Sequence, residues 1–263
     1  MSGDDKMLAA LAADGIAKQK LHVIMIVDTS RSMQGERIGQ VNSAIEAIHK
    51  YLMDLQSENT NVDFYISIMT FANGAEFVSG YKGVNVYDMT PPRLKAIGYS
   101  NLHCAYEELA PVLCKESGGG MMPDFGGIAP IILLLTDGHP TKAAGEQLEK
   151  LRKLPWFRAS LRYGIAIDLN DERTMRVLTD FTDDRDCVVE CFDPTMLAKI
   201  IQVIVLTASK VKSQSSAVRA NNRAKAQVRA NLRGATDKPV PTVHNEVKHE
   251  VKRTLDEIED WEW

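Results

Sequence analysis

The stretch LHVIMIVDTSRS, residues 21–32, decides the fold. Leu21 to Val27 is an almost unbroken apolar run, which suits a central strand buried on both faces better than a half-exposed one. The run stops at Asp28, and Thr29, Ser30, Arg31 and Ser32 follow at once, so a carboxylate and several hydroxyls stand at the carboxyl end of that strand. Next, Arg37 to Leu55 carries Ile38, Val41, Ile45, Ile48, Leu52 and Leu55 at three- and four-residue spacing, the pattern of an amphipathic helix. Phe64 to Phe71 reads as a second strand, with Ala75 to Val86 a strand or hairpin beside it and Gly74, Gly80 and Gly83 as turn points. Leu102 to Leu113 reads as a helix and the glycine-rich Ser117 to Gly127 as a loop. Ile131 to Thr136 is the strongest strand. Glu146 to Leu154 is expected to be helical, Leu161 to Ile167 a strand, Glu172 to Phe181 a helix, Cys187 to Cys191 a short strand and Thr195 to Ala208 a closing apolar helix. This alternation predicts an α/β class, a doubly wound and mostly parallel sheet flanked by helices in the Rossmann-like manner. In such sheets the ligand site lies at the carboxyl ends of the central strands.

Composition agrees with a folded core and narrows the classes. The 263 residues are 44% hydrophobic and 25% charged, ordinary values for a globular chain. The longest apolar run, Ile128 to Leu135, is interrupted by Pro130 and falls far short of the roughly twenty residues a membrane-spanning helix needs. The N-terminus, Met-Ser-Gly-Asp-Asp-Lys, lacks the basic start and apolar stretch of a secretion signal. Four cysteines in a chain of this length do not make a disulfide framework. A cytoplasmic protein with reduced thiols is therefore expected. Its expected organisation is an N-terminal extension over 1–19, the α/β domain over 20–208, a basic linker over 209–241 and an acidic amphipathic tail over 242–263.

The last two segments differ in kind from the domain. Lys210, Lys212, Arg219, Arg223, Lys225, Arg229 and Arg233 fall in a segment without acids, whereas the stretch after Asp237 is mostly acidic, within a net charge of −4. The linker nearly lacks large apolar residues and cannot offset its ordering entropy by burial, so it is helical or disordered but not a second core. Three readings of it stay open. Contact with nucleic-acid phosphates would give a log–log salt slope of about −6 on duplex DNA, although no aromatic residue lies there to stack on bases. The others are a contact with a protein or with the chain's own acidic body, and a solvated linker. In the tail, Val243, Val247, Val251, Leu255 and Ile258 share one helical stripe that ends in Asp-Trp-Glu-Trp. Leu255, Ile258, Trp261 and Trp263 are candidate partner-binding residues, since tryptophan is enriched among interface anchors; folding back onto the domain is the other reading. Ser213, Ser215, Ser216, Thr236, Thr242 and Thr254 are candidate phosphorylation sites, where added negative charge would weaken attraction to the acidic body.

The chemistry concentrates at two strand ends and one loop. Asp28-Thr29-Ser30-Arg31-Ser32 follows the first strand, Thr136-Asp137-Gly138 follows the strongest one, and Gly98-Tyr99-Ser100-Asn101 precedes a helix. A doubly wound sheet brings all three to one edge. Two carboxylates with several hydroxyls form an oxygen-only set suited to a hard divalent cation such as Mg²⁺. No His or Cys stands at a comparable position, which argues against zinc. Ordinary roles compete with this reading: Asp28 and Asp137 as helix caps, Ser30 as a turn residue. A metal-assisted hydrolase would use similar ligands but needs a general base or second metal, and His139 is the only nearby candidate. The chain has no Gly-x-Ser-x-Gly elbow, P-loop or Gly-x-Gly-x-x-Gly motif. Gly118-Gly119-Gly120 is read as flexible linker, and Cys187 with Cys191 as buried free thiols on one strand face.

The three motifs, in this order on these element ends, resemble the metal-ion-dependent adhesion site of von Willebrand factor type A domains. The resemblance covers about residues 20–207. Asp28-Thr29-Ser30-Arg31-Ser32-Met33 with Gly35-Glu36, and Leu135-Thr136-Asp137-Gly138-His139-Pro140-Thr141, look most like bacterial tellurium-resistance-associated (TerY-like) members. By position, the resemblance implies that Ser30, Ser32 and Ser100 offer hydroxyls to the metal and that Asp28 and Asp137 bind it directly or through water. Mg²⁺ is the implied cation, with Mn²⁺ or Ca²⁺ as substitutes, and a partner's Asp or Glu fills its open position. The family usually has threonine where this chain has Ser100, which keeps the hydroxyl but loses the stiffness of a β-branched side chain. The implied activity is non-enzymatic: a protein-interaction adaptor in a bacterial stress-response or defence system, with a Ser/Thr kinase and a phosphatase as implied partners.

Overall fold

The computed structural model describes residues 18–58, 62–124, 127–138, 140, 143–168, 171–191, 196–206 and 252–253. Strand β1 (Gln19–Asp28) leads into helix α1 (Glu36–Glu58), then β2 (Val62–Phe71) and β3 (Ala75–Asn85). Helix α2 (Leu102–Val112), β4 (Ile131–Thr136), α3 (Gly145–Arg152), α4 (Pro155–Ala159), β5 (Leu161–Ile167), α5 (Glu172–Thr182) and β6 (Val188–Cys191) follow. Residues 196–206 are helical and form α6. The sheet order is β3-β2-β1-β4-β5-β6; every pairing is parallel except β2 with β3. The chain winds outward from β1 to β3 and then returns to place β4 on the other side of β1. The switch point between β1 and β4 is where a sheet of this kind opens a crevice at its carboxyl ends.

The unbroken apolar reading of β1 has a direct cause. Val23, Met25 and Val27 enter one core layer with Val41, Ile45, Ile48 and Leu52 of α1 and Leu197, Ile200, Ile201 and Ile204 of α6. Ile24 and Ile26 enter the opposite layer with α2, α3, α4 and α5, through residues such as Leu109, Leu151, Phe157 and Phe181. Side chains alternate across a strand, so a strand covered on both faces must be apolar at every position. The register sets Val27 beside Leu135 and Asp28 beside Phe71, which brings the polar residues just beyond these strands to one level.

Local expectations are refined in four places. The helix expected over Glu146–Leu154 stops at Arg152, and a separate helix begins with Pro155 at its first position. Proline disfavours helical geometry in the residue before it, and Leu154 is extended at φ −75°, ψ 127°. The glycine triplet is a packed turn and not a loose linker. The amides of Gly118 and Gly120 donate to the Lys115 carbonyl, and a Cβ at Gly120 would stand 2.0 Å from the Cys114 carbonyl oxygen. Strand β3 is continuous, and Gly80 and Gly83 take positive φ where its pairing with β2 bulges rather than at its ends. Cys187 closes a 3-10 turn ahead of β6, yet it and Cys191 are buried in one core layer as free thiols. Among the described residues no helix is long and apolar enough to cross a membrane.

Candidate metal centre at the sheet edge

Asp28, Ser30, Ser32, Ser100 and Asp137 come together at the carboxyl edge of β1 and β4. Asp28 ends β1, and its Oδ1 accepts the Ser30 amide at 2.8 Å, which curls the chain back over the strand end. A 3-10 turn over Arg31–Met33 follows, and the fully buried Met33 anchors it in the core. Thr29 ties the same segment to β2 through its amide, 2.9 Å from the Phe71 carbonyl oxygen. The Ser100 loop is pinned by two backbone bonds: Ile97 N–H to the Thr29 carbonyl at 2.7 Å, and Arg31 N–H to the Gly98 carbonyl at 3.0 Å. Gly98 has φ +95°, and a Cβ there would lie 2.8 Å from Asn73 Oδ1. Glycine meets both demands without strain.

The oxygens form a continuous network. Asp28 Oδ2 accepts the hydroxyls of Ser100 at 2.9 Å and Thr136 at 2.8 Å. Ser30 Oγ and Ser32 Oγ are 3.1 Å apart, and Ser32 donates to Asp137 Oδ1 at 2.8 Å. Both carboxylates are buried, whereas Ser32 is exposed and gives the cluster its opening. Burial pushes the Asp28 carboxyl above its ordinary value, and the hydrogen bonds from Ser30, Thr136 and Ser100 oppose that rise.

Three members of this network are not among the site residues expected from the sequence. Thr136 holds Asp28, as above. Arg37, in the first turn of α1, sets Nη1 2.7 Å from Asp137 Oδ2 and Nε 3.1 Å from Asp168 Oδ2. Asp168 follows β5 directly, so the rule that singled out Asp28 and Asp137, a carboxylate just at the end of a central strand, also finds it. Arg37 lies next to Gly35-Glu36, but no periodicity links it to residues 100 and 131 positions away. Burial works against the Arg37 charge, and the Asp168 and Asp137 carboxylates more than offset it, holding the guanidinium firmly protonated.

Carboxylate and hydroxyl oxygens suit a hard divalent cation. Rotatable hydroxyls fit the task, because each can turn its proton away and offer a lone pair. Among the described residues no group of three or more His, Cys, Asp or Glu side chains is placed to hold a metal, so a cation here would draw much of its shell from neutral hydroxyls. His139, Leu255, Ile258, Trp261, Trp263 and the candidate phosphorylation sites Ser213, Ser215, Ser216, Thr236, Thr242 and Thr254 lie outside the described residues, as does the basic segment 210–233.

Sheet order, layers and the place of the network define the fold of von Willebrand factor type A domains. A von Willebrand factor type A structure from Catenulispora acidiphila superposes with TM-score 0.52 at 15% identity, over 72% of this chain and 43% of that one. Proximal thread matrix protein 1 of the mussel byssus superposes with TM-score 0.54 at 14% identity, over 73% and 48%. In sequence, the chain is 25% identical over 177 residues to inter-alpha-trypsin inhibitor heavy chain H1 of Bos taurus. That match takes in 60% of this chain but 18% of the relative, so the chain spans about a fifth of the curated protein it resembles. No family model matches the chain.

Proposed function

We propose that this protein is a non-enzymatic interaction module that recognises an acidic residue of a partner protein through a divalent cation, Mg²⁺ by preference. The observation that carries this reading is the convergence of Asp28, Ser30, Ser32, Ser100 and Asp137, drawn from three separate parts of the chain, within one hydrogen-bonded network. These five residues would hold the cation, and a bound cation supplies an electrophilic position for a carboxylate from outside. The chain's own residues do the rest. The buried Asp28, held by donors on three sides, orients the Ser30 and Ser100 segments. Ser32 stands at the surface, where an incoming side chain arrives.

The surroundings suit a protein partner. Ile97 and Tyr99, each 70% exposed, precede Ser100 on the pinned loop. A cleft of about 560 Å³ beside them is lined by Thr29, Asn73, Glu76, Arg93, Lys95 and Ile97. Two cations on its wall favour an acidic segment, and the exposed apolar pair offers contact area next to the charge. The TerY-like form of the first and third motifs supports a bacterial stress-response setting with kinase and phosphatase partners. The four free cysteines are in keeping with a reducing, cytoplasmic compartment.

Affinity capture from native lysate in Mg²⁺ and in EDTA, read by mass spectrometry, tests the proposal. A partner retained with Mg²⁺ and lost both in EDTA and with Ser30→Ala/Ser32→Ala is the expected result. Partners indifferent to EDTA and to the double substitution would overturn it.

A further inference from the structure

We propose that Arg37 is a built-in counter-ion of the metal centre, which must surrender Asp137 for a divalent cation to bind while staying tethered to Asp168. The inference rests on the metal reading above and adds how access to that site is controlled. All four oxygens of Asp28 and Asp137 already accept hydrogen bonds. Three of these oxygens are held by a backbone amide or by hydroxyls that can turn, but Asp137 Oδ2 is held by the Arg37 guanidinium at 2.7 Å. A cation bound to either Asp137 oxygen would stand close to the guanidinium, and like charges repel strongly where water is excluded.

Arg37 has somewhere to go. Its Nε reaches Asp168 Oδ2 at 3.1 Å, its Nη2 reaches the Asp168 carbonyl at 3.5 Å, and Nη1 also touches the Ser32 carbonyl at 3.2 Å. Asp168 is half exposed and Arg37 is 29% exposed, so this side of the pair has room that the fully buried Asp137 carboxylate lacks. The charges close on the same point. Asp28, Asp137 and Asp168 against Arg37 leave two net negative charges, and a divalent cation neutralises them only if Arg37 remains with Asp168. A cation in the first turn of a 23-residue helix also opposes the helix dipole. Arg37 therefore sits where α1 itself would not favour it and where the two carboxylates do.

Calorimetric titration of the full chain with MgCl₂, after EDTA treatment and desalting, tests this on the wild type, Arg37→Met, Asp168→Asn and the double variant. Arg37→Met is expected to tighten Mg²⁺ by about tenfold, the scale of one charged hydrogen bond. Asp168→Asn is expected to weaken it, since Arg37 then has only Asp137. The double variant should bind like Arg37→Met, because the effect of Asp168 passes through Arg37. A second readout is thermal unfolding: Arg37→Met should melt below wild type in EDTA and recover in saturating Mg²⁺. Mg²⁺ binding by the wild type with Arg37→Met unchanged or weaker would overturn the counter-ion role and leave the metal reading standing. Absence of saturable Mg²⁺ heat and of any melting shift in all four proteins would overturn both.

Discussion

Two arginine–aspartate clusters flank the sheet, and they are built on opposite principles. At the edge between β1 and β4, Arg37 meets Asp137 and Asp168 among serine and threonine hydroxyls. Behind β5, the buried Arg162 donates to the carbonyls of Phe181 at 2.9 Å, Phe157 at 2.5 Å and Thr182 at 3.3 Å, and to Asp183 Oδ2 at 2.6 Å. Its guanidinium also lies 4.5 Å from the Phe157 ring centroid. Asp183 ends α5 in the left-handed region at φ 61° and takes Arg152 on its other oxygen at 2.6 Å. Enclosed among these fixed acceptors, Arg162 closes the last turns of α4 and α5 and welds them to the sheet. Hydroxyls both donate and accept, so the Arg37 cluster can exchange one set of partners for another. Both arginines donate to carbonyls and carboxylates, so the difference lies in burial and in the hydroxyls that share the carboxylates: Arg162 is enclosed, whereas Arg37 is partly exposed and its partner Asp137 also accepts the Ser32 hydroxyl.

The largest effect is expected at Arg162. Arg162→Met should cost about 2–4 kcal/mol, because it removes the side-chain donor of the buried Phe181 and Thr182 carbonyls and one donor of the Phe157 carbonyl, while Asp183 keeps Arg152. Urea unfolding measures this, and a loss below about 1 kcal/mol would mean that the cluster does not hold the helices. Ser30→Ala/Ser32→Ala should cost less, about 1–2 kcal/mol under the same conditions without metal, since Asp137 loses the Ser32 hydroxyl from one oxygen but keeps Arg37 on the other. Equal costs for the two variants would erase the distinction between weld and site.

His22 sharpens the contrast from the far end of β1. Both of its ring nitrogens are buried without a partner, and burial, with the Lys20 charge adding to it, pushes its pKa down to about 4. The groups facing it are Tyr65, 5.4 Å between ring centroids, and Lys20, which lies over the Tyr65 ring and is itself paired with Glu116. The folded imidazole refuses a proton that the unfolded chain takes up below about pH 6.5. Stability from this group is therefore complete above that pH and drains as the pH falls toward 4, by up to about 3 kcal/mol. His22→Leu should flatten that part of the stability profile, as read by denaturant unfolding from pH 7 to pH 4.5. An unchanged slope would show that other groups govern it. The smallest expected effect is on the cleft wall: Lys95→Ala should weaken capture of an acidic partner about two- to fivefold at low salt, an effect that fades as salt screens it.

Much of this was legible in the residues. The apolar run of β1 announces a strand buried on both faces, and helical spacing in α1 announces which side it packs on. The element order yields the doubly wound sheet, and the rule of strand carboxyl ends then collects Asp28, Ser30, Ser32 and Asp137, with Ser100 supplied by the motif order. These are properties of pattern, and pattern survives in a linear string. The break between α3 and α4 was also there to read, in Pro155, since a proline dictates the geometry of the residue before it. The packed glycine turn was not, because the space a Cβ would fill at Gly120 is defined by Cys114 after the turn has closed.

What only the tertiary structure decided is the pairing of charges across the fold. Arg37 stands 100 residues from Asp137 and 131 from Asp168, and Arg162 finds its carbonyls on two different helices. A charge has no period along the chain, and its partner is whichever carboxylate the packed layers bring within about 3 Å. The chain alone determines which strands are buried and which oxygens crown them. Which of those oxygens a cation must contend for is decided when α1 packs against the sheet and swings Arg37 over the end of β4.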